Sequence, residues 1–184
     1  AAEIASRPGP VLEFGLGNGR TYDHLRNCLP GREIFVFERQ IAKNPGCLPD
    51  SRHLLRGDIR ETLSDAMIRI GAPAVLAHYD IGTGDKSDTA WLAAVVGPAL
   101  APLLAHGALV VSSQALVIPG CVELPLPNDV AANRYYTLAL LYGLIRKPSA
   151  RFRVRSHFYY GELHGELDMP DVQVEAEFKL EDFE

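Results

Sequence analysis

The 184-residue sequence has no long hydrophobic run, only three cysteines and a single tryptophan. No apolar stretch approaches the roughly 20 residues that a membrane-spanning helix needs, which argues against a helical membrane protein. Cys28, Cys47 and Cys121 are odd in number and form no CxxC pair, so we expect reduced thiols rather than disulfides or a zinc site. Because AAEIASRPGP also lacks a basic segment followed by an apolar one, we expect a cytoplasmic protein.

The charge balance of the chain is slightly acidic. A formal net charge of −5 argues against nucleic acid as the main partner, because phosphate binding usually requires a basic domain or a basic face. One basic cluster lies within residues 146–155. We expect a C-terminal antiparallel hairpin there, with Arg153 and Arg155 opposite Glu175 and Glu177. A site for nucleic acid or an acidic ligand is the alternative reading of the same arginines.

Short apolar runs alternate with helical patterns along the chain, which indicates βαβ units and a parallel sheet covered on both faces. Strands are predicted at 10–14, 32–38, 52–57, 73–80 and 107–114. Helices are predicted at 20–29 and 60–70, from Ser87 or Asp88 to Leu104, and over 130–147. Since no linker or repeat interrupts this pattern, we expect residues 1–184 to form a single α/β domain.

The segment VLEFGLGNG combines an apolar strand pattern and Glu13 with three glycines at every second position, namely Gly15, Gly17 and Gly19. In a strand–loop–helix unit such a loop lies at the carboxyl end of the strand, where open α/β sheets bind ligands. Glycines there permit a sharp turn and a close approach of the ligand to the backbone. The dinucleotide fingerprint GxGxxG would need glycine at position 20, where Arg20 stands. The spacing therefore disfavours a nicotinamide dinucleotide site.

The pattern E-x-G-x-G-x-G at residues 13–19 resembles motif I of the class I S-adenosylmethionine-dependent methyltransferases. The next strands continue the resemblance, because IFVFE ends in Glu38, the third strand is followed by GDI (57–59) and the fourth by DIG (80–82). The resemblance covers about residues 10–115 by motif. It implies a Rossmann-like three-layer sandwich whose seven-stranded, mostly parallel sheet ends in the C-terminal antiparallel hairpin.

The resemblance also implies S-adenosyl-L-methionine as the cofactor and methyl transfer as the reaction, and we expect a small-molecule acceptor. It places the methionine part at Glu13 and the glycine loop, the ribose hydroxyls at the Glu38 carboxylate, and the adenine at Asp58 and Ile59. The implied cofactor-binding residues are Glu13, Gly15, Gly17, Gly19, Glu38, Gly57, Asp58, Ile59, Asp80 and Ile81. A general base is optional, and the candidates are Asp80, His78 and Tyr79.

Some features of related enzymes are absent from this sequence. Strand five ends in VVSSQ, which offers hydroxyls and an amide instead of a second carboxylate beside Asp80, so we expect no metal. The [DN]PP[YF] motif of amino-methylating enzymes is missing too. Only residues 39–50 join the second and third strands, so we expect the usual helix there to be shortened or missing.

Two other functions stay open from the sequence alone. One is a nicotinamide-dependent oxidoreductase, or another nucleotide binder, on the same sheet, and the other is a non-catalytic module that binds an adenosyl ligand. A homodimer is also open, and so is a lid helix ahead of the first strand, since about ten residues precede that strand. We interpret Trp91 as part of the core of its helix rather than as a platform for substrate.

Overall fold

The computed structural model describes residues 2–42, 46–126, 128, 130 and 135–140, together with the backbone of four strands between 146 and 177. The chain divides into two compact units, 1–142 and 143–184. The single domain expected over 1–184 stays a prediction.

The first unit is built on a sheet of seven strands. These are β1 (Val11–Phe14), β2 (Ile34–Glu38), β3 (Leu54–Arg56), β4 (Ala74–Tyr79), β5 (Leu104–Ser112), β6 (Cys121–Leu124) and β7 (Tyr136–Leu140). Their order is β3-β2-β1-β4-β5-β7-β6. Strands β1 to β5 run parallel, whereas β7 pairs antiparallel with both β5 and β6. The predicted seven-stranded, mostly parallel sheet is confirmed.

Four α-helices join the parallel strands, namely α1 (Arg20–Cys28), α2 (Ile59–Thr62), α3 (Ala66–Ile70) and α4 (Lys86–Leu100), with 3-10 turns at Ala2–Ile4 and Ala101–Leu103. Between β2 and β3, the described residues 39–42 and 46–50 contain no helix. In the part of the chain that the structure describes, no helix has the length and apolar character needed to cross a membrane.

The strands distribute their side chains between two hydrophobic cores, one on each face of the sheet. Leu12 and Phe14 of β1 belong to the core that includes the buried residues of α2, α3 and α4. Val11 packs in the other core, together with Tyr22 of α1 and Ile4 of the first 3-10 turn. Both faces of the sheet are therefore covered, as the three-layer sandwich requires.

Two helix predictions need correction in detail. The helix expected over 60–70 is divided into α2 and α3, with a turn between them. Helix α4 begins earlier than expected because Asp85, rather than Ser87 or Asp88, caps it. The Asp85 carboxylate accepts hydrogen bonds from the backbone N–H groups of Ser87 and Asp88.

The helix predicted over 130–147 is wrong where the structure describes it. Tyr136–Leu140 forms β7, which lies between β5 and β6 in the sheet. A short apolar run such as YTLAL cannot be assigned to a helix or a strand by periodicity alone. This segment forms a strand because β5 and β6 pair with it on its two sides, which satisfies the backbone hydrogen-bonding groups along both edges.

The second unit contains two antiparallel pairs of strands. Strand β9 (Ser156–Tyr160) pairs with β10 (Leu163–Leu167), and β8 (Arg146–Ser149) pairs with β11 (Glu175–Glu177). The predicted pairing was wrong, since Glu175 lies opposite Ser149 and Glu177 opposite Arg146. Arg153 and Arg155 lie outside the described residues. The antiparallel strands of the seven-stranded sheet are β6 and β7, not the predicted hairpin, because β7 pairs with β5 and β6 pairs with β7.

Candidate functional site

A cavity of about 570 Å³ opens at the carboxyl ends of β1, β2 and β4. This volume lies within the range typical of small-molecule and cofactor sites. The cavity brings together eight of the predicted cofactor residues, namely Gly15, Gly17, Glu38, Gly57, Asp58, Ile59, Asp80 and Ile81. The strand ends therefore converge as the sequence predicted.

The three glycines of the loop have different roles, although all adopt positive φ. A Cβ on Gly15 would lie 2.6 Å from the Asp80 carbonyl oxygen, and a Cβ on Gly19 would lie 2.4 Å from the Cys47 carbonyl oxygen. A Cβ on Gly17 would meet no described atom within 4 Å. Gly17 therefore leaves open space on the cavity side, whereas Gly19 is required by the packing of the chain and does not line the cavity.

Glu38 fastens the glycine loop to the end of β2. Its Oε2 atom accepts hydrogen bonds from the backbone N–H of Leu16 at 2.8 Å and, more weakly, of Gly17 at 3.4 Å. Its Oε1 atom accepts from the Gln40 N–H at 2.8 Å. An ionised carboxylate has about four lone-pair sites, so acceptor capacity remains for a ligand in the cavity.

Asp58 caps helix α2 and binds Arg60. Its Oδ1 atom accepts from the Arg60 backbone N–H at 3.0 Å and from Nε at 2.8 Å, and its Oδ2 atom accepts from Nη2 at 2.7 Å. These bonds from Arg60 lower the pKa of Asp58 to about 2. Most of the acceptor sites of Asp58 are therefore in use. One site on Oδ2 remains that can accept a hydrogen bond from an adenine amine.

Trp91 is half exposed and lines the cavity, so its interpretation as a core residue is wrong. The Arg60 guanidinium lies 5.6 Å from the centroid of its ring, which is cation–π distance. From Ala90 to Leu100 helix α4 is apolar on every side, so the sequence pattern does not distinguish its outward face there. Gly82, part of the DIG segment, also lines the cavity, and the lining residues that the sequence analysis did not identify are Phe37, Arg39, Gln40, Arg60, Thr83, Asp88 and Leu92.

Glu13 and His78 form a pair across neighbouring strands, which the register of β1 and β4 places side by side. Glu13 is only 1% exposed, and its Oε2 lies 2.9 Å from Nδ1 of His78. Burial raises the pKa of Glu13. Burial lowers the pKa of His78, but the hydrogen bond and charge of Glu13 outweigh it, so that pKa is also raised. The pair does not line the cavity, although Asp80 lies close enough to influence both groups.

Of the three base candidates, only Asp80 lines the cavity. Tyr79 is fully buried in the core beside Phe14, and burial raises the pKa of its hydroxyl to about 12. A phenol that is inaccessible and this hard to ionise cannot serve as the base, so the prediction for Tyr79 is wrong. No group of three or more potential metal ligands occurs among the described residues.

The fold and this site define a class I S-adenosylmethionine-dependent methyltransferase. Residues 1–140 match the family described as S-adenosyl-L-methionine methyltransferase, and the chain belongs to this family. Because the chain belongs to this family, the two alternative functions, a nicotinamide-dependent oxidoreductase and a non-catalytic module that binds an adenosyl ligand, are rejected.

Two solved structures illustrate the relationship. An S-adenosyl-L-methionine methyl transferase from Silicibacter pomeroyi DSS-3 is 44% identical, with a TM-score of 0.71 over 76% of this chain and 85% of that chain. TrmN from Thermus thermophilus is 20% identical, with a TM-score of 0.53 over 76% of this chain and 46% of that chain, and supports the fold alone. No curated protein sequence matches significantly.

Proposed function

We propose that the cavity binds S-adenosyl-L-methionine and that the methyl acceptor is a small molecule. The observation that carries this proposal is the charge of the cavity wall. Its described residues include four carboxylates, Glu38, Asp58, Asp80 and Asp88, but only two guanidinium groups, those of Arg39 and Arg60. An excess of negative charge suits a sulfonium cofactor and repels a chain of phosphates.

The cavity wall also fits the shape and chemistry of an adenosyl ligand. Gly17 leaves room for the ligand to approach the loop backbone. Glu38 has one unused acceptor site on Oε1, and a site on Oε2 is held only by the weak 3.4 Å bond from Gly17, so one site on each oxygen suits the two ribose hydroxyls. Phe37 and Ile59 provide apolar surface for a flat ring, with Leu92 on α4. We assign Asp80 and Ile81 to the end of the cavity that would hold the methyl group of the cofactor.

When bound, the cofactor supplies a methyl group on an activated leaving group. The contribution of the protein is then chiefly orientation, which can lower a barrier by up to about 7–11 kcal/mol. Asp80 is the candidate to accept a proton from the acceptor.

The size class of the acceptor can be tested with cofactor that carries a labelled methyl group. The enzyme would be incubated with a metabolite extract and, separately, with purified total RNA, DNA and protein. We expect label in the filterable small molecules and background incorporation elsewhere. Label in nuclease-sensitive material would contradict the proposal.

Cofactor choice gives a direct prediction for ligand binding. S-adenosylhomocysteine at about 100 times its Kd adds about 2.7 kcal/mol to the free energy of unfolding, which raises the Tm of a chain of this length by about 5–10 °C. NADH should produce no shift at the same concentration. Differential scanning fluorimetry measures both, and a shift with NADH alone would reject the cofactor assignment.

The Glu13–His78 pair predicts a pH-dependent stability. Since both pKa values are raised in the folded protein, folding favours proton binding, and stability falls as pH rises. The contribution of His78 is fully present below its ordinary pKa near 6.5 and is lost as pH rises through its raised folded pKa.

Wild type should therefore be more stable than His78→Gln in acid, and the difference should shrink in alkali. Urea unfolding across the pH range measures it. His106→Gln, at an exposed position of β5, is the matched control and should follow wild type. A wild-type advantage that grows with pH would show that the pair does not hold a proton.

A further inference from the structure

From Trp91 onward, the outward face of α4 carries only apolar residues. Six exposed residues follow one another at helical spacing along α4 and the turn after it, namely Trp91, Ala94, Val95, Pro98, Ala99 and Pro102, here called the α4 stripe. The opposite face is buried in the core. The sequence has no charged residue from Thr89 to Ala105. A surface helix usually presents polar residues to water, so this face is suited to contact with protein.

The α4 stripe contains a protruding side chain and, farther along, a hollow. Trp91 is 56% exposed near one end. From Val95 toward the other end runs a groove of about 440 Å³ whose wall is mostly apolar, with Met67, Ala99 and Pro102 among its members, and includes Arg60 and Ser64 as its polar residues. Trp91 and Ala99 are eight residues apart, which corresponds to about 12 Å along a helix.

We propose that the α4 stripe is the interface of a homodimer in which two α4 helices pack antiparallel across a two-fold axis at Val95. A two-fold axis at this residue brings position 91 of each copy opposite position 99 of the other. The large Trp91 then meets the small Ala99 at both ends, and each indole enters the groove of the other copy. The same face is therefore complementary to itself, which is what a two-fold interface requires.

The dimensions of the surface suit this occupant. The α4 stripe from Trp91 to Pro102 is about 18 Å long. Helix α3 lies against the turn after α4 and adds Ile68, which is 85% exposed, so the apolar surface is about 20 Å wide. The resulting footprint of about 350 Å² lies in the size range of the largest apolar patches on monomers, which are often functional, and it supplies the apolar centre of an interface of about 800 Å² per partner.

Dimerisation at this face would also affect the active site. Trp91 lines the cofactor cavity on one side and belongs to the α4 stripe on the other. A second copy that holds the indole in its groove would fix one wall of the cavity. The proposal does not depend on the acceptor, because it rests on the surface alone.

The test uses the single tryptophan of the chain as its reporter. Light scattering after size exclusion gives the mass, and tryptophan emission is recorded over a dilution series. Wild type should be a dimer with blue-shifted emission that moves to the red on dilution. In Val95→Glu two carboxylates would meet at the axis, so we expect the dimer Kd to rise at least about a hundredfold, with red emission throughout.

Val117→Glu is the matched control, since Val117 is 76% exposed and lies outside the α4 stripe. It should dimerise like wild type. Ala99→Arg, which fills the groove, provides a second disruptive variant in case Val95→Glu does not fold. S-adenosylhomocysteine binding by each variant reports separately on the cofactor site.

Three results would overturn the proposal. These are a wild-type monomer at every concentration, a dimer that neither disruptive variant weakens, and a monomer whose emission is already blue. The last result would mean that the α4 stripe is covered within one copy of the chain.

Discussion

Glu38→Ala is expected to weaken S-adenosylhomocysteine binding by at least about a hundredfold. The change removes the charged acceptor proposed for two ribose hydroxyls, and hydrogen bonds to charged groups contribute about 1.5–3 kcal/mol each. Two such bonds account for about 3 kcal/mol, or roughly a hundredfold in Kd. The same carboxylate holds the N–H groups of Leu16 and Gln40, so the free energy of unfolding should also fall, by about 1–3 kcal/mol.

Calorimetric titration and urea unfolding of the same samples test both effects. Glu38→Gln retains one acceptor oxygen and should lie between wild type and Glu38→Ala. Glu33→Ala removes an exposed carboxylate just before the first residue of the same strand and should leave the affinity unchanged. If Glu38→Ala binds as tightly as wild type, the ribose does not lie at Glu38.

Gly19→Ala is expected to destabilise the fold by about 3 kcal/mol or more. Its φ of +78° costs an L-residue about 1–2 kcal/mol. In addition, the new Cβ would lie 2.4 Å from the Cys47 carbonyl oxygen and 3.0 Å from the Cys47 nitrogen. Both of these are backbone atoms, so relief requires the connection between β2 and β3 to move.

Gly31 provides a close control, because its φ is +79° and no described atom lies within 4 Å of an added Cβ. Gly31→Ala therefore measures the conformational cost alone, and the difference between the two variants measures the contact with Cys47. Denaturant unfolding gives both values. Equal losses in the two variants would show that the Cys47 backbone yields at little cost.

The strand ends were the part of the site that the sequence predicted well. Glu38, Asp58 and Asp80 each follow a buried apolar run, and parallel strands bring such positions to one edge of a sheet. The local hydrophobic pattern was sufficient to predict these positions, because it indicates both the strand and the residue at which the strand ends.

The remaining features depend on tertiary contacts. The pairing of His78 with Glu13 follows from the register of β1 and β4, and the contact of Arg60 with Trp91 joins separate helices. Strand β7 looked helical because an apolar run of this length has no distinctive period. Tyr79 shows the converse error, since a position at a strand end does not reveal which face of the sheet receives the side chain.

The hydrogen bonds of the glycine loop bear on the thermodynamics of cofactor recognition. The Gly15 N–H donates to the Phe37 carbonyl, the Gly19 N–H donates to the Leu16 carbonyl, and the Leu16 N–H donates to Glu38. The loop therefore loses its conformational entropy when the chain folds, before any ligand arrives. Binding free energy is not consumed in ordering this segment, so more of each contact with the ligand appears as affinity.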